Sequence, residues 1–406
     1  MVGAGTGALP AQRGGEAAGP ASPPGAELTI SVMTMGVGPE VWERFGHNAI
    51  VVQDGLRGTS TSYNYGMFSF RQENFLLRFL QGRMLYWMTG YPTDADVPRY
   101  IAARRSLWLQ QLELAPAERL AMRDFLEWNA RPANAYYRYD YYLDNCSTRV
   151  RDALDRILHG GLRAQMGGLA SGDFRFHTRR LNTHNLALYT GLELILGPSV
   201  DRPVTRWDEM FLPLKLRDHL REATRPGPDG QPIPLVREER VLYQSDAWPV
   251  PDRPPTWWPG YLLAGLLAGG LLFLLGVSAR RSAAARRGLL LAGSVWSVTV
   301  GVLGLVLVLV WAFTDHRVAF RNQNLLQLPV LYLGLAAILP GAIRDRPGPR
   351  RAAAWLALAI GAMSLLGVLL KAVPSLEQFN TDVLALFVPI NVGLSLAILR
   401  WNRPQR

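Results

Sequence analysis

The apolar positions of this chain change their spacing twice. Residues 1–26 show no apolar period, only Gly, Ala and Pro with scattered polar residues, a composition that predicts disorder. From 27 to 250 apolar and polar residues mix at short periods, over enough chain for one domain of a few layers. From Tyr261 onward the apolar runs approach the ~20 residues that a helix needs to cross a bilayer. The runs fall at 260–279, 288–313, 325–343, 352–373 and 383–399, and 251–259 is a Pro-rich linker to this 260–406 membrane domain.

Inside 27–250 the period is first two and then near 3.6. LTISVMTMG reads as a strand, and FGHNAIVVQD as a second, with β-branched residues following His47. A turn at Asp54-Gly55 leads to a third strand in TSTSYNYGMFSF. ENFLLRFLQG and APAERLAMRDFLEWNARP have helical spacing. After the tyrosine-rich stretch 136–142, Val150, Leu154, Ile157 and Leu158 form a helical stripe on the face of Cys146. Asp144 or Asn145 can cap that helix. No internal repeat is visible.

The net charge of +11 would suggest a nucleic-acid partner if it were spread over the domain. It is not. Residues 1–252 hold 28 Lys+Arg and 28 Asp+Glu, whereas 253–406 hold 15 against 4, so the whole excess lies among the membrane runs. There it reads as topology charge, and no nucleic acid is expected. Arg280, Arg281, Arg286 and Arg287 follow the first run; Arg344, Arg346, Arg350 and Arg351 follow the third; Arg400, Arg403 and Arg406 follow the fifth. By the positive-inside rule these ends are cytoplasmic. The expectation is a multi-pass membrane protein with 27–250 on the outer side and the C-terminus in the cytoplasm. Trp257, Trp258 and Tyr261 fit an interfacial belt on the outer side. An exported domain needs a signal, and 1–26 contain no apolar core for one; the recorded start is therefore expected to differ from that of the precursor, or the signal to have been removed.

Cys146 is the single cysteine, so no disulfide can form within the chain. A thiol at a helix N-terminus feels the positive end of the dipole, which favours the nucleophilic thiolate. His47 is the candidate general base. Asn64, on the next strand, is the candidate to orient its imidazole. Asn145 either supplies an amide to an oxyanion or caps the helix. Arg149 and Arg151 read as a solvated helix face. In WDEMFLPLKLRDHL (207–220), Met210, Phe211 and Leu212 either dip into the outer leaflet or pack in the core. His316, with Asn322 and Asn324 nearby, lies between the second and third runs on the side expected to carry Cys146, and is a candidate for holding substrate. The six histidines are scattered and no Gly-rich phosphate loop follows a strand, so neither metal nor cofactor is expected.

The order of these elements, histidine strand before cysteine helix, resembles the circularly permuted NlpC-type branch of the papain-like superfamily, and lecithin:retinol acyltransferase is similar. A narrower resemblance is carried by VMTMGVGPEVWERFGHNAI, YNYGMFSF, YYLDNCSTRVRDAL, WDEMFLPLKL and TDHRVAFRNQNLLQLP, in that order. Together they look like the Lnb-type family of bacterial membrane proteins, with a periplasmic thiol domain. The resemblance implies an α+β permuted papain-like domain followed by a five-span helical bundle. It implies lipoprotein N-acylation, with a membrane phospholipid as acyl donor and the α-amine of a diacylglyceryl-cysteine lipoprotein as acceptor, through Cys146 and His47. The alternatives left open are a membrane-anchored papain-like cysteine amidase or peptidase of the cell wall, and a non-enzymatic sensory or scaffold domain.

Overall fold

The computed structural model describes residues 22–402. The disorder expected for 1–26 and the charges of Arg403 and Arg406 lie mostly outside this range; residues 22–26, however, turn into the first strand, with the Ala26 N–H donating to the Pro23 carbonyl at 3.0 Å.

Nine strands are present among the described residues: β1 Leu28–Met35, β2 His47–Asp54, β3 Thr59–Met67, β4 Leu85–Pro92, β5 Leu107–Leu112, β6 Tyr136–Arg138, β7 Thr224–Pro226, β8 Pro232–Pro234 and β9 Val236–Tyr243. Seven form one antiparallel sheet in the order β6-β4-β3-β2-β1-β5-β9, and β7 and β8 form a small hairpin. The alternation of β1 and β2 divides their apolar residues between two buried faces. Leu28, Ile30, Val32, Ile50 and Val52 pack with Met122 and Leu126 of the helix Pro116–Asn129 and with Val150 and Leu154 of the helix Cys146–Ile157. Met33, Met35, Ala49 and Val51 pack on the other face, partly under Val97 and Tyr100 of the helix Thr93–Ala102. Strands β4, β5 and β9 and the Thr93–Ala102 helix have weak sequence signals; the helix carries Pro98 in its interior.

Five helices follow that are long and apolar enough to cross a membrane: Trp258–Ser278, Ala283–Phe313, Gln323–Ile343, Pro347–Ala372 and Thr381–Asn402. The first and fifth meet at backbone contact. A Cβ on Gly269 would lie 2.2 Å from the Pro389 carbonyl oxygen, and one on Gly393 2.2 Å from the Gly269 oxygen. Small residues allow such approach where dispersion must hold helices together in lipid.

The arginine-rich loops gather at one end of the bundle. Arg280 donates to the Trp401 carbonyl at 2.6 Å, and Arg350 to Asn402 at 2.8 Å. The N-terminal domain sits at the opposite end, through the helix Leu186–Ile195. Tyr189 donates to Asp382 at 2.8 Å, and the Gly197 N–H to the Val318 carbonyl at 2.7 Å. Arg175, fully buried, pairs with Asp201, whose other oxygen accepts from the Phe379 N–H ahead of the fifth span.

Candidate active site

Strand β2 begins at His47, opposite Met35 of β1. The turn before it needs glycine. Gly46 has φ +85°, and a Cβ there would lie 2.8 Å from the Met35 carbonyl oxygen. By alternation His47 belongs to the face of Ala49 and Val51, where its ring stacks on Tyr100, centroids 6.4 Å apart. Asn64 of β3 pairs in register with Ala49 and so shares that face. His47 Nε2 lies 2.9 Å from Asn64 Oδ1. The Asn64 amide nitrogen donates to Asp96 at 3.0 Å and to the Ser62 carbonyl at 3.2 Å. Its donors are thus spent, and its oxygen must accept from His47 Nε2–H. That assigns the neutral tautomer and leaves Nδ1 as a bare base.

Cys146 opens its helix under a complete cap. Asn145 Oδ1 accepts from the Ser147 and Thr148 N–H groups at 2.9 Å each, and the Asn145 N–H donates to Thr148 Oγ1 at 2.7 Å. The Asn145 side-chain amide donates to the Tyr141 and Phe211 carbonyls at 3.0 Å each. All four side-chain hydrogen-bonding positions are taken, so Asn145 holds the helix start and has no donor left for an oxyanion. Ser147 Oγ donates to the Met210 carbonyl at 2.7 Å. Met210, Phe211 and Leu212 are fully buried around this contact, so the 207–220 segment packs as core behind the thiol instead of entering lipid. In front, the β3–β4 ladder bulges between Asn64 and Met67, and Gly66 has φ +81°. A Cβ on Gly66 would stand 3.3 Å from Cys146 Cβ, 3.8 Å from the Tyr137 hydroxyl and 3.9 Å from Tyr139. Its absence leaves room directly beside the thiol.

The helix dipole does not decide the charge of this thiol. Burial pushes Cys146 up to about 11, outweighing the N–H groups of Asn48 and Ser147 and the charge of Arg105. The expected thiolate is therefore replaced by a resting thiol. Burial, aided by Arg105, lowers His47 to about 4 against the pull of its Asn64 hydrogen bond. The resting pair is neutral. Both groups feel Arg105, and Tyr100, stacked on His47, is near enough to feel Cys146 once the thiol ionises. Among the described residues no hydrogen bond joins thiol to imidazole.

Three residues of this neighbourhood carry no short-range sequence signal. Asp96 is nearly fully buried behind Asn64. Arg105 donates to the Gly36 carbonyl at 2.9 Å and to Glu43 at 3.0 Å, while its Nη2 is buried without a partner. The Tyr137 hydroxyl, from the tyrosine-rich stretch, is likewise buried without a hydrogen bond.

Compared with models of protein families, residues 21–182 match the Lnb N-terminal periplasmic domain. Over these residues the N-terminal domain is similar to that of the Lnb family. The match spans every residue of the His47–Asn64–Asp96 chain and Cys146, and ends before the Met210 and Phe211 backing. No curated protein and no solved structure matches the chain.

The other sequence candidates lie where the Lnb-type domain meets the bundle. His316 Nε2 is 2.9 Å from the Phe79 carbonyl, and its ring stacks on Tyr141 with centroids 6.4 Å apart. It lines a cleft with Tyr86, Tyr139, Tyr141 and Asp315, and Tyr139 is the ring that also stands beside Gly66. Asn322 and Asn324 do not line this cleft. Asn322 donates to the Leu194 and Ile195 carbonyls at 2.8 and 3.0 Å, and Asn324 to those of Glu193 and Leu194 at 2.8 and 3.0 Å. They satisfy the C-terminal carbonyls of a docked helix, which is a joint between domain and membrane rather than a substrate contact. Arg149 pairs with Asp144 and lies over Tyr137 at 4.2 Å; Arg151, mostly buried, lies over Trp207 at 4.0 Å, so neither is a freely solvated face. Among the described residues no His, Cys, Asp and Glu cluster fit for a metal ion is found.

Proposed function

We propose that the protein is a thiol acyltransferase that N-acylates lipoproteins, with the Lnb-type domain in the periplasm and the arginine-rich loops and C-terminus in the cytoplasm. One observation carries the chemistry. A buried Cys146 at a capped helix N-terminus shares its neighbours with a His47 whose Nδ1 is left bare by the Asn64–Asp96 chain. The order of histidine strand and cysteine helix supports reading the domain as permuted papain-like. Docking of that domain at the bundle end opposite the arginines supports the orientation.

In the first half-reaction His47 Nδ1 takes the proton of Cys146, and the sulfur attacks the ester carbonyl of a membrane phospholipid. The new S–C bond forms, the ester C–O bond breaks, and the imidazolium returns its proton to the leaving oxygen of the lysophospholipid. In the second half the α-amine of a diacylated lipoprotein attacks the thioester. The C–N bond forms, the C–S bond breaks, and a proton returns to sulfur through His47. The Tyr137 hydroxyl, which has no acceptor for its own proton, would donate to the oxyanion in this scheme. A neutral resting pair suits this order, because the proton moves only as substrate arrives. Aminolysis of a thioester is downhill, so no nucleotide is needed.

The test is mass spectrometry of lipoprotein N-termini in cells with the wild-type protein, without it, and with Cys146→Ser. The expected result is an N-acyl chain in wild-type cells alone, with a hydroxylamine-sensitive acyl adduct on Cys146 when acceptor is scarce. Unchanged N-termini in the Cys146→Ser strain would end this reading.

A further inference from the structure

The helix Phe75–Gln81 is seven residues long, and most of its apolar side chains face nothing. Leu76 is 66% exposed, Leu77 53% and Leu80 55%, and Phe79, although its ring meets Phe75 and His316, remains exposed on its outer side. At 100° per residue these four cover one broad face. A bare apolar surface of this kind in a folded domain marks a contact that the isolated chain does not show. Its position says what the contact is. The Asp315 N–H donates to the Gln81 carbonyl at 2.8 Å, His316 reaches the Phe79 carbonyl, and Arg83 pairs with Asp315 at 2.8 Å. Asp315 and His316 immediately follow the second span, which ends at Phe313. The apolar part of that helix, 288–313, is ~39 Å long against a ~30 Å hydrocarbon core, so with Arg286 and Arg287 at one headgroup level its other end, at Phe313, reaches the opposite one. The short helix is therefore fastened at the membrane surface.

We infer that Phe75–Gln81 lies in the leaflet on the side of the Lnb-type domain, with Leu76, Leu77 and Leu80 among phospholipid acyl chains, and that it is the door by which the acyl donor reaches the thiol. From this helix a line of rings leads inward. Phe75 meets Phe70 at 5.1 Å, Phe70 meets Phe68 at 5.1 Å, Phe68 meets Tyr86 at 5.4 Å, and Tyr86 stacks on Tyr139 at 4.2 Å between centroids. Tyr139 ends the line beside Gly66 and Cys146. A lipid lifted at this point keeps its chain on apolar rings while its ester approaches the sulfur. The route rests on the proposed acyl transfer; the contact with lipid does not.

The single native cysteine makes the test direct. In full-length Cys146→Ser protein, Leu77→Cys is labelled with bimane and reconstituted in phosphatidylcholine–phosphatidylglycerol vesicles whose acyl chains carry bromine. Leu56→Cys, at the tip of the exposed β2–β3 turn, is the reference. The expected result is at least about twofold stronger quenching at Leu77 than at Leu56. Equal quenching at the two sites overturns the inference. A second readout uses Leu76→Glu/Leu80→Glu with Cys146 intact. The ratio of Cys146 acylation by vesicle phospholipid to that by p-nitrophenyl butanoate is expected to fall at least about tenfold, and an unchanged ratio removes the route. Quenching at Leu77 in the Cys146→Ser background, together with acylation by neither donor when Cys146 is intact, would uphold the contact and sink the transfer chemistry instead.

Discussion

Buried polar groups occur at two depths in this molecule, and their hydrogen bonds end differently. Inside the bundle, Tyr332 donates to Asn391 at 2.6 Å, Trp296 approaches the same oxygen at 3.3 Å, Asn391 donates to the Gln327 carbonyl at 3.0 Å, and Gln327 exchanges hydrogen bonds with Ser364 at 2.5 and 3.0 Å. None of these side-chain groups is left over. In the Lnb-type domain the chain from Asp96 through Asn64 to His47 stops at a bare ring nitrogen, with the unpaired Tyr137 hydroxyl and Arg105 Nη2 close by. A closed network fixes which helices pack together. A network that ends on unspent donors and a free base has capacity left for a substrate. The contrast teaches that polarity at depth does not by itself mark the reactive place, and Ser297 Oγ, buried in the second span without a partner, shows that an unspent group needs a base and a thiol beside it to do so.

The sharpest way to break the contrast is to remove the group at the open end. His47→Ala should slow acylation of Cys146 by about 10²- to 10⁴-fold, the range for a lost general base. It should also slow alkylation of Cys146 by iodoacetamide at neutral pH. A variant that keeps wild-type acylation kinetics would mean that the open end is not the reacting end.

A smaller effect is expected one step back along the chain. Asn64→Leu leaves the imidazole without its partner, and should cost about ten- to a hundredfold in acylation while leaving donor binding unchanged. The same imidazole has a pH signature. His47 ordinarily titrates near 6.5 and is held near 4 in the fold. Between those values the unfolded chain binds a proton that the folded one refuses, so stability is present above 6.5 and falls as pH drops toward 4. Thermal unfolding of wild type and His47→Gln between pH 7 and 4 measures it. The wild type should lose more stability over that window, and parallel curves would show that burial does not hold the ring neutral.

The smallest effect belongs to the closed network. Tyr332→Phe removes two hydrogen bonds from it, the donation to Asn391 and the acceptance from Trp296, and should cost about 1 kcal/mol, at about 0.6 kcal/mol for each such bond between membrane helices, with acylation unaffected. Unfolding in mixed detergent micelles reads the cost. Loss of activity without loss of stability would move a catalytic role into the bundle.

Much of this was legible along the chain because it is local. The spans were visible as runs, since a bilayer demands a length of apolar residues whatever surrounds them. The order of histidine strand and cysteine helix and a cap at Asp144 or Asn145 follow from backbone rules that act over a few residues. Asn64 could be named only as a polar residue of the next strand; the register that puts it on the histidine's side belongs to the folded sheet. The rest was decided by tertiary structure. Asp96 and Arg105 come from separate parts of the chain and become neighbours of the site only when the sheet and its covering helix are assembled. Asn322 and Asn324 turned out to close a joint, because the carbonyls they satisfy belong to a helix more than a hundred residues upstream. The charge of Cys146 shows the same division. Sequence supplies the helix N-terminus, which favours thiolate, but burial comes from strands, tyrosines and the 210–212 backing around it, and the loss of solvation there outweighs the dipole.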